Sequence, residues 1–332
     1  MKQKKFLLSV FSIILSLISV FAFGSCKSET GSQDKQDGGV EKIEGEEHNY
    51  TYGICSICGL EEELGDYFKF TFNEDENSYT VGIFDEATHQ KCLEYCKSTN
   101  QEMTECTTWP EEIQKVIDAV GDELIIPSGY KGLPITHIQD NAFMLCNFET
   151  CIIPDTIVSI GAAAFGLCRN LKSVVLPDSV KEIEGWAFCF CYSLTNVEIT
   201  ESVIAVGDYP FADCDEFVYN EYNGGYYIGN TDNPYIVLIE TTWDELPTYT
   251  VHPQTKTIAC WAFEGCSTLA KVEIPASVIS INSCAFEGCT TLTTMIFHGT
   301  VEQWNAIKKE LHWWDDDIPA TKIVCANGEV AL

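Results

Sequence analysis

Seventeen cysteines and six histidines are the residues with which this 332-residue chain could do chemistry. His48, Cys55 and Cys58 give His-x6-Cys-x-x-Cys, followed by Gly59. Two thiolates separated by two residues can share one tetrahedral zinc ion. A fourth ligand is then required, and His89, Cys92 and Cys96 are the candidates: on a helix over 86–97 they would fall at i, i+3 and i+7, on one face. The same residues support a second reading, in which Cys55, Cys58, Cys92, Cys96 and Cys106 form disulfides and one of the five is left over. A closed, thiolate-rich zinc site is more often structural than catalytic. The remaining histidines, His137, His252, His298 and His312, belong to no nucleophile motif, glycine-rich phosphate loop or His-Glu-x-x-His pair. No catalytic residue is assigned and the chain reads as a non-enzyme; a zinc-dependent enzyme ranks last among the readings. No cofactor is expected beyond a structural zinc.

A second set of thiols is periodic. Phe-x-x-Cys recurs as Phe143/Cys146, Phe165/Cys168, Phe188/Cys191, Phe211/Cys214, Phe263/Cys266 and Phe286/Cys289, with steps of 22, 23, 23, 52 and 23 residues. A fixed period in the low twenties marks a solenoid, in which one short unit stacks on the next. Stacking places the six cysteines in one internal column, where a thiol acts as a small buried hydrophobe. Column neighbours lie one strand spacing apart, about 4.8 Å, within reach of a disulfide. The sequence leaves the bonding state of these thiols open.

The unit that positions them is clearest in 171–194. Around Val174 and Leu176 apolar residues alternate with variable ones, the period of a half-buried strand. Pro177 ends it, because proline cannot donate to a ladder. The remainder reads as turns or a short 3₁₀ piece. One such unit has no second layer to cover its apolar side, so it must lean on its neighbours, and strands one repeat apart form a parallel sheet. Proline precedes phenylalanine by 11 residues at Pro154, Pro177 and Pro275. Thr200 replaces it before Phe211, and Pro253 is 10 residues before Phe263.

Ile153-Pro154-Asp155-Thr156-Ile157, Leu176-Pro177-Asp178-Ser179-Val180 and Ala285-Phe286-Glu287-Gly288-Cys289 resemble the BspA-type leucine-rich repeats of bacterial surface proteins, across 122–298. The resemblance implies a curved leucine-rich-repeat solenoid, a right-handed superhelix with a parallel β-sheet, and binding of other molecules at the cell surface. It implies no catalytic residues.

Lys2, Lys4 and Lys5 precede an apolar run from Phe6 to Phe23, then Gly24-Ser25-Cys26. This resembles a bacterial lipoprotein signal over 1–25, with Cys26 acylated and the chain anchored to a membrane by lipid; an uncleaved membrane anchor is the alternative, and both export the rest. Residues 26–47 are polar and poor in large apolar groups, a flexible tether. The net charge of −31 opposes nucleic acid and anionic lipid, and serves solubility on a crowded surface.

Residues 48–121 do not follow the repeat and read as an N-terminal cap. Tyr67–Phe72 and Ser78–Val81 form a hairpin, and a helix after Trp109-Pro110 carries Ile113, Val116, Ile117 and Val120 on one face. An insert at about 215–248 reads as three short antiparallel strands rich in tyrosine. Residues 299–332 are a C-terminal cap: Thr300-x-x-Gln303 is a capping box, and Val301, Trp304, Ile307 and Leu311 share a helical face. The acidic run at 315–317 reads as a solvated loop.

The reading that follows is a lipid-anchored envelope protein, exposed on the bacterial surface, that binds host or bacterial surface proteins or glycans. Expected contacts are outward strand positions, namely Lys172, Val175, Thr195, Glu198, Lys271 and Glu273, with Tyr226 and Tyr227 as aromatic anchors. The alternative is a structural component of the envelope or of a surface assembly.

Overall fold

A computed structural model describes residues 50–51, 54–55, 68–83, 91–92, 94–96, 109–242, 247–314 and 317–332. These belong to one compact unit, Gly45–Leu332. Each repeat makes one coil with two strands. In the coil at 171–194 they are Ser173–Val175 and Glu182–Ile183. The second strand stands where the sequence suggested only turns; two residues are too few to show a period.

Coils of the first half stack through two parallel ladders. One runs Glu123–Ile125, Thr150–Ile152, Ser173–Val175, Asn196–Glu198. The other runs Leu133–Ile138, Ser159–Ile160, Glu182–Ile183, Ala205–Val206. Between ladders the chain turns through the Phe-x-x-Cys segment, and the residues two before and two after each Phe adopt positive φ. Ala163 (51°) and Leu167 (61°) flank Phe165, while Trp186 (62°) and Phe190 (57°) flank Phe188. The phenylalanine rings pile up between coils, with Phe143–Phe165, Phe165–Phe188 and Phe188–Phe211 centroids 5.5, 5.1 and 5.7 Å apart.

The near end is covered by a hairpin, Lys69–Asn73 with Ser78–Gly82; its second strand pairs in parallel with Leu133–Ile138. The helix Glu111–Val120 adds Ile113, Ile117 and Val120 to the same core.

The insert is antiparallel: Asn220–Tyr222, Gly225–Ile228 and Val237–Thr241. Strand alternation splits its side chains between two cores. Ile228, Ile236, Val237 and Ile239 pack into the first stack. Tyr227 and Leu238 pack into the second. A sheet buried on both faces thus forms the wall between stacks. From that wall the second stack continues in parallel, Val237–Thr241, Thr257–Ile258, Ser280–Ile281 and Lys308–Lys309 in one ladder. The other ladder is Thr248–Thr250, Lys271–Ile274, Thr294–Phe297 and Lys322–Cys325, with Gly328–Ala331 antiparallel at its end.

At the far end the capping box is present: Gln303 N–H donates to Thr300 Oγ1 at 3.3 Å, and Thr300 N–H to Gln303 Oε1 at 2.8 Å. The helix stops at Ala306, because Lys308–Lys309 is drawn into the ladder. Leu311, expected on a buried helical face, is therefore 82% exposed.

Candidate functional site

The outward side of the first ladder follows from strand geometry. Val174 and Val197 point into the core, so Ser173, Val175, Asn196 and Glu198 point out. Across the strands Ile125 faces Ile152, Val175 continues the row, and Glu198 ends it. Ile125, Ile152 and Val175 are 56%, 50% and 64% exposed. Sequence reasoning found Val175 and missed its two neighbours; the proline register places them on the same row. Lys172 is exposed and ion-paired with Glu149. Thr195 is exposed, and its hydroxyl donates to the Lys172 carbonyl at 3.0 Å. Glu198 is half-buried at the row's end.

In the second stack the equivalent row is Thr250, Glu273, Ile296, Val324. Lys271 Nζ lies 2.6 Å from Glu273 and His298 Nε2 lies 2.9 Å from it. Both contacts hold the Glu273 carboxyl below the usual glutamate range.

Of the two tyrosines expected as anchors, Tyr226 is half-buried. Tyr227 is a correction: it is fully buried, its hydroxyl 2.8 Å from that of Tyr249 and accepting from the His252 N–H at 3.2 Å. It faces inward because its strand is the wall between cores, so it offers nothing to a ligand.

The thiols Cys146, Cys168, Cys191, Cys214, Cys266 and Cys289 line the coils' interior. Four of these sulfurs reach back one coil to a phenylalanine carbonyl: Cys168 to Phe143 at 3.1 Å, Cys191 to Phe165 at 3.1 Å, Cys214 to Phe188 at 3.0 Å, Cys289 to Phe263 at 3.2 Å. The carbonyls of Phe143, Phe165 and Phe263 also accept the N–H of their own coil's cysteine. The thiol thus supplies a second donor where a methyl group would supply none. Burial pushes the Cys146, Cys168 and Cys191 thiols up. Cys266 goes the other way, held down by the neighbouring Cys289 thiol and by Thr241, whose hydroxyl is 3.2 Å from its sulfur.

A seam between the stacks escaped sequence reasoning altogether. Asn282 is fully buried; its carboxamide accepts from Val206 N–H at 2.9 Å and donates to the Ile204 carbonyl at 3.1 Å. Cys260 N–H donates to the Val206 carbonyl at 3.0 Å. A side chain and one peptide group thus stand where the next strand's backbone would pair. Trp261 Nε1 donates to Asp208 at 2.8 Å, and Tyr209 donates to Glu264. Burial raises the Asp208 and Glu184 carboxyls, and for Glu184 the nearby Asp140, Glu182, Glu310 and Asp208 add to it.

Cys26, His48 and Cys58 lie outside the described residues, as do the Cys55 side chain and His89. Cys92 and Cys96 are buried.

The BspA type leucine rich repeat region matches in six copies, over residues 136–230 and 242–307. No curated protein matches the chain. Among solved structures, a leucine-rich repeat protein of T. pallidum is similar at 19% identity and a TM-score of 0.39, over 77% of this chain and 92% of that one. One from Bacteroides capillosus is similar at 21% identity and a TM-score of 0.33, over 48% and 97%. A leucine rich cell surface protein of Faecalibacterium prausnitzii is similar at 16% identity and a TM-score of 0.24, over 74% and 97%.

Proposed function

These repeats are BspA-type leucine-rich repeats, and from that premise we propose that the chain is a non-catalytic bacterial surface protein that binds other proteins or glycans through the outward side of its first ladder. The observation that carries this is the row Ile125, Ile152, Val175, three aliphatic side chains held half or more exposed on adjacent strands. Rigid coils fix their spacing, so a partner loses little entropy on docking beyond its own. Glu198 at the end of the row and Glu123, two residues before Ile125 on the same strand, favour a partner with basic residues beside an apolar strip. Acylation at Cys26 would tether this surface to the envelope.

The test is binding of surface and matrix proteins and of arrayed glycans to the full chain and to an Ile152→Asp/Val175→Asp variant. Both positions face solvent, so the thermal midpoint is expected to stay within a few degrees while binding falls at least about tenfold, the effect of about 1.4 kcal/mol. Binding that survives both changes overturns the assignment of the face. Ordered self-association with no ligand added would favour the structural, assembly reading instead.

A further inference from the structure

We propose that Cys266 and Cys289 are a modification site, a thiol pair that oxidises to a disulfide joining two consecutive coils of the second stack. The coils are held in register immediately before the pair. Phe263 N–H donates to the Ala285 carbonyl and Gly265 N–H to the Glu287 carbonyl, both at 2.8 Å. Cys266 therefore sits one chain spacing from Cys289, about 5 Å, the separation a disulfide needs between Cα atoms. The Cys289 sulfur reaches back into the coil of Cys266, to the Phe263 carbonyl at 3.2 Å.

What separates this pair from the rest of the column is the surroundings of Cys266. Its sulfur meets the Thr241 hydroxyl at 3.2 Å and the Cys289 thiol. In the first stack the Cys168 and Cys191 sulfurs donate to phenylalanine carbonyls instead. Cys266 also keeps 7% of its surface exposed, whereas Cys146, Cys168 and Cys191 keep none. Cys191 and Cys214 are also neighbours in the column, but the Cys214 sulfur donates to the Phe188 carbonyl and burial pushes the Cys191 thiol well up, away from the thiolate that reacts.

With a peroxide as oxidant the step balances. The Cys266 sulfur attacks one peroxide oxygen, the O–O bond breaks, and the sulfur becomes a sulfenic acid as the other oxygen leaves as water. The Cys289 sulfur then displaces the sulfenic hydroxyl, which takes the thiol proton and leaves as a second water. Two electrons pass from the sulfurs to the peroxide, and one S–S bond forms.

The experiment treats the reduced, folded full chain with increasing hydrogen peroxide, alkylates the remaining thiols and maps peptides without reduction. The expected result is a linked Cys266–Cys289 peptide as the first product, with a higher thermal midpoint that dithiothreitol reverses. In a Cys289→Ser variant, Cys266 is expected to stop at the sulfenic acid and take dimedone. The proposal is overturned if the first thiols lost lie elsewhere while Cys266 and Cys289 still alkylate, or if both persist until the peroxide is consumed. Should the variant not fold, the map of the unaltered chain decides alone.

Discussion

Asn282 shows how much one side chain can carry in a stacked fold. Its carboxamide has one acceptor and one donor group, and both are used on the open edge of Ala205–Val206, at Val206 N–H and the Ile204 carbonyl. Leucine has the same shape and neither function. Asn282→Leu leaves a buried donor and a buried acceptor unpaired, and is expected to cost about 2–6 kcal/mol at about 1–3 kcal/mol per group, read from urea unfolding. A cost below about 1 kcal/mol would mean that water reaches this edge. The turns offer a contrasting case. Gly265 and Gly288 (φ 65° and 72°) occupy the place after phenylalanine that Leu145 and Leu167 fill in other coils. A methyl group on Gly265 meets no atom within 4 Å, so Gly265→Ala isolates the backbone term, about 1 kcal/mol of destabilisation. Leucine is tolerated at 145 and 167 because its side chain is buried there, 5% and 3% exposed, which offsets the strained turn.

Between elements, the wall and the seam hold carboxylates that burial keeps above their ordinary values: Glu184, Asp208 and Glu240, the last also raised by Glu264. In this situation the folded chain holds protons more tightly than the unfolded chain. Stability from these groups is therefore present at and below their unfolded values, 4.5 for glutamate and 3.8 for aspartate, and is lost as pH rises through the higher folded values. His252 acts in the opposite sense. Burial lowers it, so the unfolded chain protonates first as pH falls through 6.5 and the fold loses stability there. Glu240→Gln removes one raised carboxyl while leaving the histidine. It is expected to raise the thermal midpoint at pH 7 and to flatten any gain seen on acidification toward pH 5. A variant less stable than the parent at pH 7 would show that the Glu240 charge is needed in the fold. The strands bearing these groups illustrate the limit of reading elements from sequence. Ser173–Val175 shows an alternation because Val174 faces the core between two outward residues, whereas Glu182–Ile183 is too short to show any. The end of the last helix was equally hidden, since the ladder that claims Lys308–Lys309 begins far away at Val237.

At the scale of the whole molecule, the Phe-x-x-Cys column was legible because stacking repeats one environment coil after coil, so the same residue types recur at one spacing. Ile125 and Ile152 belonged to the same logic and were recoverable from it. The wall between stacks was not. Tyr227, Val237 and Leu238 look like any alternating strand, and only the return of the chain beside both cores decides that each face is buried. Asn282 has no repeated counterpart and carries no pattern at all. The wall, which packs into both cores, is expected to couple the two stacks in unfolding, although nearest-neighbour coupling along a solenoid would let its ends unfold separately. Val237→Asp places a charge in the first core alone, and Leu238→Asp places one in the second alone. An unpaired buried charge costs several kcal/mol, about 3–5. If the wall transmits the damage, hydrogen exchange will accelerate in both Ser173–Val175 and Lys271–Ile274 in either variant. Independent stacks would instead lose protection only on the side that received the aspartate, and the parent chain would unfold in two steps when tryptophan fluorescence and circular dichroism are followed together.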